Sequence, residues 1–302
     1  MTKFGQIIDV IAPARCDFTM TSKQIKDVVC KFGFAARFPV DMVKEGADIL
    51  CCNSVKNRAT FLIEALENKE SKFVWALAGG YGTTQLLSAL DAIDFSNHKK
   101  ILVGFSDITA LMIYFIQKYK WPCIHARGIR GIIEGKADEA ELKLLESCFQ
   151  NTSTKLEYAL LPFNDKAKKT FEIQAETTGG NLSLVQCSLG TNWHINTENK
   201  ILLLEDIDEP GYGVDRMLVH LEQAGVFNKV EAVILGDFSC GKENELVHRV
   251  LSRFFEDKKF PVFKTDIFGH GKQNHPFLLG VEAKLTCGSK AHISFDHNIL
   301  GL

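Results

Sequence analysis

The stretch Ile101-Leu-Val-Gly-Phe-Ser-Asp-Ile-Thr109 decides how this chain folds. A short apolar run, Ile101-Leu102-Val103, passes through Gly104-Phe105 into Ser106-Asp107, and a helical pattern follows over residues 108–119. An apolar run of that length, ended by glycine, reads as a buried strand. A strand passing through a tight turn into a helix is the building unit of a parallel sheet covered by helices. The same unit occurs upstream, where residues 73–77 run into Ala78-Gly79-Gly80-Tyr81-Gly82 and then a helical pattern over 83–92. Residues 7–11 form a further strand, and 22–32 and 58–66 form further helices. The fold class is therefore α/β, with a parallel sheet in the N-terminal half. In such sheets ligands bind beyond the carboxyl ends of the strands. Both Ser106 and the Gly79–Gly82 loop stand at such ends.

Residues 150–169 are polar and lack periodicity, with Asn151-Thr-Ser-Thr and Asn164-Asp-Lys-Ala-Lys-Lys. They read as a linker. The expected division is an N-terminal domain over 1–150, a linker over 151–170 and a C-terminal domain over 171–302. The second half carries strands at 171–177, 201–204, 232–235 and 291–295, and helices at 213–224 and 243–255. It reads as a β-rich α/β domain.

Composition excludes several classes. Of 302 residues, 46% are hydrophobic and 24% charged, which is an ordinary globular composition. The 35 basic and 37 acidic residues leave a net charge of -2, so no strong pull toward nucleic acid or an anionic membrane is expected. No apolar stretch approaches the roughly 20 residues of a membrane helix. The opening Met-Thr-Lys-Phe-Gly-Gln-Ile-Ile-Asp reads as a first strand rather than a signal peptide. Nine cysteines, an odd number without a Cys-x-x-Cys pair, argue against a disulfide framework or zinc site and read mostly as buried hydrophobes. A cytoplasmic protein is expected.

Four motifs carry candidate chemistry. Ser106 stands where a strand-to-helix turn projects a hydroxyl, beside the free N–H groups of a helix start. That suits a nucleophile with an oxyanion site, although Ser106 or Asp107 read locally is more commonly a helix cap. Gly79-Gly80-Tyr81-Gly82 lets backbone approach a ligand closely, and it matches neither Gly-x-Gly-x-x-Gly nor a phosphate-binding loop with lysine. Ile201-Leu-Leu-Leu-Glu-Asp-Ile-Asp-Glu-Pro210 puts Glu205 at the end of a buried strand, where a carboxylate can orient a histidine. A metal site at Asp206, Asp208 and Glu209 is the alternative there, but the spacing fits no calcium loop. His270, between Gly269 and Gly271, is the best general-base candidate among nine histidines. His275 is its rival, and His125, His194 and His292 read as structural or surface residues.

In order and flanks these motifs resemble the LD-carboxypeptidase family, which includes muropeptide LD-carboxypeptidases and microcin-C immunity peptidases. Val10-Ile-Ala-Pro13, Gly79-Gly-Tyr-Gly82, Gly104-Phe-Ser-Asp-Ile-Thr109, Gly179-Gly-Asn-Leu-Ser183, Leu204-Glu-Asp206 with Glu209-Pro210 and Asp215-Arg216, and Gly269-His270 with Leu279-Gly280 carry the resemblance over nearly the whole chain. It implies a triad of Ser106 as nucleophile, His270 as base and Glu205 as orienting carboxylate, in a cleft between the two domains. It implies an oxyanion hole from the N–H groups of Gly80 (or Gly79) and Asp107, with Gly79, Tyr81, Arg127 and Asn181 near substrate. It also implies a muropeptide substrate, no cofactor, no metal and a homodimer. An enzyme acting on aminoacyl-nucleotide conjugates and a catalytically silent peptide-binding protein are the alternatives. Two departures from the family pattern stand out. Ala78 occupies the place of an arginine before Gly-Gly-Tyr-Gly, and His125-Ala126-Arg127 replaces His-Gly-Pro. Arg127 or Arg130 is the expected substitute for the missing charge.

Overall fold

A computed structural model describes residues 6–15, 20–150 and 155–296. Five strands of the N-terminal half are β1 (Ile7–Ile11), β2 (Ala35–Arg37), β3 (Ser71–Ala76), β4 (Ile101–Gly104) and β5 (Cys123–His125). They lie side by side in the order β5-β4-β3-β1-β2, all parallel. Helices α1 (Ser22–Lys31), α2 (Val55–Glu67), α3 (Leu87–Asp91), α4 (Thr109–Tyr119), α5 (Ile129–Ile133) and α6 (Glu139–Gln150) connect or cover them. α1 shows why these segments become helices. Thr21 and Gln24 cap it reciprocally, and Ile25, Val28 and Val29 place its apolar stripe on the sheet.

The second sheet contains β6 (Leu156–Ala159), β7 (Leu161–Pro162), β8 (Glu172–Asn181), β9 (Lys200–Ile207), β10 (Ala232–Ser239) and β11 (Val262–Lys264). Following β12 (Phe277–Leu279), it adds β13 (Glu282–Thr286) and β14 (His292–Phe295), giving the order β6-β14-β13-β8-β9-β10-β11-β7. Its centre, β8 to β11, is parallel and its flanks are antiparallel. Helices α7 (Leu182–Cys187), α8 (Gly211–Gln223) and α9 (Asn244–Phe255) belong to this half. The chain thus has a two-domain α/β fold with mixed sheets. β12 crosses back and pairs antiparallel with β5, so the first sheet has six strands.

The two halves are joined by more than β12. From Thr109 through Ile116 helix α4 is buried on every side, because β8 and α7 pack on the face turned away from its own sheet. Ile101, Leu102 and Val103 ahead of it are likewise buried. Each such side chain contributes roughly 1.5–3 kcal/mol on burial, so the strand and helix flanking Ser106 form a stiff frame.

Two expectations need correction, the linker and the start of one helix, while that of mostly buried cysteines holds among the described residues. The stretch read as a linker carries β6 and β7, which pair with β14 and β11 at the two edges of the second sheet; its Asn151–Thr154 portion lies outside the described residues. Short edge strands gain their stability from partners distant in sequence, so their own periodicity is weak. The helix expected over 83–92 begins as a 3-10 turn, Thr83–Leu86, before α3. Of the eight cysteines described, Cys51, Cys52, Cys123, Cys148 and Cys287 are buried, whereas Cys30 and Cys187 are exposed; Cys16 lies outside the described residues. No helix among the described residues is long and apolar enough to cross a membrane.

Candidate active site

Ser106 adopts φ +62°, a left-handed conformation that costs a non-glycine residue about 1–2 kcal/mol. The strain argues against the capping role, as does the bonding. No side chain caps the turn, and the Ser106 hydroxyl bonds to no described residue. The neighbouring loop is fitted to this turn. A Cβ on Gly79 would lie 2.8 Å from the Ser106 Cβ and 3.2 Å from its Oγ, so only glycine fits there. Thr83 clamps the two segments together, its backbone N–H donating to Asp107 Oδ2 (2.9 Å) and its hydroxyl to the Asp107 carbonyl (2.6 Å). Burial pushes the Asp107 carboxyl up, and the Thr83 contacts oppose that. Gly80 takes φ +113°, and its N–H meets no acceptor among the described residues.

Glu205 lies in β9, fully buried. His270 lies in the loop between β11 and β12, and its Nδ1 is 2.6 Å from Glu205 Oε2. The ring of Phe105, the residue before Ser106, sits 4.8 Å from the His270 ring. The second sheet therefore delivers a carboxylate–histidine pair to the turn that the first sheet strains. Asn274 Oδ1 holds this loop by accepting from Gly269 N–H (3.0 Å), and Phe268 accepts from Asp237 N–H on β10 (2.7 Å).

The electrostatics of the pair are mutual. Burial alone would lower the His270 pKa, but the charge and hydrogen bond of Glu205, with Asp206 and Asp237 behind it, raise it above the ordinary imidazole value. Burial alone would raise Glu205, but His270 and His125 hold it below the usual carboxylate range. Asp206, the next residue, serves structure instead. It accepts from Asn181 Nδ2 (2.9 Å) and from the Ser183 N–H (2.9 Å) and hydroxyl (2.8 Å), fixing the start of α7.

Two substrate-binding expectations are corrected. Arg127 is buried, its Nε and Nη2 donating to Glu141 Oε1 and Oε2 at 2.7 and 3.1 Å. Glu141 Oε2 also accepts from the Asn274 N–H (3.3 Å), so this ion pair backs the His270 loop rather than facing a substrate. Replacing Arg127 by Met should leave a buried carboxylate unpaired and cost about 3–5 kcal/mol of stability. Thermal melts and kinetics check this, because a substrate-binding arginine would instead raise KM and leave stability alone. Asn181 is buried as well, capping α7 through Oδ1 and bonding Asp206 through Nδ2. Arg130 lies on α5 with Nε 2.6 Å from Glu134. Tyr81 is exposed, and its carbonyl accepts from the Arg15 N–H (2.9 Å).

The other histidines sort unevenly. His275 lies 4.0 Å from Asp138, and burial lowers its pKa. His194 Nδ1 accepts from Gly190 N–H (3.4 Å), and His292 sits by the Lys290 carbonyl (3.1 Å). His125, expected as a structural or surface residue, has its Nε2 3.7 Å from Glu205 Oε1. The available signal was its position at the carboxyl end of β5, in register with Gly104 on the strand leading to Ser106.

Known proteins converge on one family. Residues 8–126 match the LD-carboxypeptidase N-terminal domain, and residues 174–285 match the LD-carboxypeptidase C-terminal domain. A Rickettsia conorii protein named provisionally as a carboxypeptidase is 33% identical over 279 residues, 92% of this chain and 87% of its own length. The murein tetrapeptide carboxypeptidase of Pseudomonas aeruginosa is 27% identical over 242 residues, 77% of this chain and 78% of its own. The crystal structure of muramoyltetrapeptide carboxypeptidase from Oxalobacter formigenes superposes with a TM-score of 0.82 at 26% identity, covering 96% of this chain and 98% of that one.

Proposed function

We propose that this chain, which belongs to the LD-carboxypeptidase family, is a serine peptidase that hydrolyses an L,D peptide bond in murein tetrapeptides and releases D-alanine. One observation carries the reading: a half-buried His270, held by the buried Glu205, stands beside Phe105, next to a serine held in a strained turn. Strain at a nucleophile on a strand-to-helix turn is a recurrent feature of hydrolases.

In this reading neutral His270 takes the Ser106 proton as Oγ attacks the carbonyl before D-alanine. Glu205 keeps the Nδ1–H tautomer and stabilises the imidazolium. The Gly80 and Asp107 N–H groups face the developing oxyanion, each donor lowering the barrier by about 3 kcal/mol. The tetrahedral intermediate collapses, His270 returns the proton to the leaving nitrogen and D-alanine departs. Water, deprotonated by His270, then releases the shortened peptide from Ser106. The Ser–His bond absent from the free enzyme is one that commonly tightens only with substrate bound. The reading extends to a cleft between a domain over 1–150 that carries the nucleophile and one over 171–302 that carries its partners. It also extends to a cytoplasmic place in murein recycling.

The test is parallel digestion of murein tetrapeptide and an acyl-sulfamoyl adenylate, followed by mass spectrometry. The expected products are tripeptide and free D-alanine. Cleavage of the adenylate alone would move the substrate class to aminoacyl-nucleotide conjugates. Cleavage of neither, without labelling by a fluorophosphonate, would leave a binding protein.

A further inference from the structure

We propose that His125 is a positioning residue for the triad, holding the second oxygen of Glu205 as His270 holds the first. Its kinetic consequence rests on the serine-peptidase reading; its structural content does not.

Three buried polar atoms without a hydrogen-bond partner meet at this spot: Nδ1 and Nε2 of His125 and Oε1 of Glu205. Buried polar groups are seldom left so. Nε2 and Oε1 stand 3.7 Å apart with both side chains fully buried, and a small ring movement closes that gap to hydrogen-bonding distance. Glu205 Oε2 is already committed to His270 at 2.6 Å. Phe105 lies against both rings, with centroids 5.9 Å from His125 and 4.8 Å from His270. The backbone around His125 is fixed on both sides, since β5 pairs with β4 at Gly104 and with β12 at Phe277. A carboxylate held by one donor can swing about its remaining bonds; held by two, its aim at Nδ1 is set. Metal-bound and catalytic histidines commonly depend on such outer partners.

The chemistry gives the sign. The titratable groups facing the couple are His125 on β5, Glu205 and Asp206 on β9, Asp237 on β10 and His270 itself. A donor on Oε1 stabilises the Glu205 anion and weakens its pull on the His270 proton. Without that donor the couple holds its proton more tightly, and its apparent pKa rises.

The experiment compares wild type, His125→Leu and His125→Gln, whose amide can still donate near the Nε2 position. Imidazole resonances are followed by nitrogen-15 NMR, and kcat and KM are measured across pH. In wild type, His125 is expected to carry its proton on Nε2. In His125→Leu the couple's apparent pKa should rise by roughly half to one unit. Its kcat should fall roughly 10–100-fold with KM unmoved. His125→Gln should recover most of both. A wild-type His125 protonated only on Nδ1 overturns the proposal. So does a folded His125→Leu with unchanged pKa and kcat, or equal impairment in the two variants. If His125→Leu does not fold, the wild-type tautomer and the Gln variant still decide. The NMR measurements need no substrate, so a protein that cleaves no tetrapeptide would sink the functional reading while leaving this one to be judged.

Discussion

Ser106→Ala is expected to lose at least about 10,000-fold in kcat on murein tetrapeptide while keeping its fold, because the hydroxyl is asked to form the covalent bond and nothing else. The Ser106 hydroxyl bonds to no described residue, so its removal strands no buried partner. Its backbone strain at φ +62° is unchanged by alanine, which pays the same steric penalty. The change in stability should therefore stay within about 0.5 kcal/mol. Ser106→Gly should be equally inactive yet melt above the alanine variant, since glycine takes positive φ without penalty. Turnover and thermal melting of the two variants check both halves. A serine that merely turned the chain would give the opposite pattern, with activity kept in Ser106→Ala. Near wild-type turnover in that variant would remove Ser106 from the mechanism.

How much of this could be read in the sequence depended on how local the signal was. The strand-turn-helix around Ser106 was legible because Ile101 to Val103 is apolar without interruption and β4 is buried on both faces. α4 was legible for the same reason, an unbroken apolar run, whereas α1, α8 and α9 each hold an apolar stripe of their own. What escaped was long-range. β6 and β7 exist because β14 and β11 offer edges, and β12 because β5 does. The site followed the same rule. Ser106, Glu205 and His270 each stand at a punctuated end of an apolar run, and the structure brings the second and third together beside the turn of the first. Arg127 misled because a guanidinium in a line of residues carries no sign of its partner. Glu141 supplies that partner from α6, a helix the pattern did not disclose. His125 misled in reverse, since nothing local set it apart from the other histidines, whereas the strand's end placed it against Glu205.

Glu205→Gln is the second large effect, and its pH behaviour separates an orienting carboxylate from a buried acid that only supports the fold. The amide is nearly isosteric but neutral, and it can turn either its oxygen or its NH2 toward His270 Nδ1. Only the first orientation preserves the tautomer that leaves Nε2 free to accept the serine proton. A loss on the order of 10,000-fold in kcat is expected. The limb of the pH profile carries the argument further. Burial pulls His270 down, and Glu205 is the largest influence pulling it up. Because the base must be neutral, wild-type activity should fall away on the acid side at a pH above the ordinary imidazole value near 6.5. In Glu205→Gln that limb should move to lower pH even as the rate collapses. Stability should respond in the opposite sense. The lowered pKa of Glu205 contributes stability present above its unfolded value, about 4.3, and lost as pH falls through the folded one. The raised pKa of His270 contributes stability fully present below about 6.5 and lost as pH rises through the folded value. The pair therefore stabilises the fold most between those two values, where His270 is charged and cannot act as a base. Chemical denaturation across pH should show that maximum in wild type and a flatter curve in Glu205→Gln. If the two curves coincide, the contact at 2.6 Å is not an ion pair in solution, and the assignment of Glu205 as the carboxylate that tunes the base fails with it.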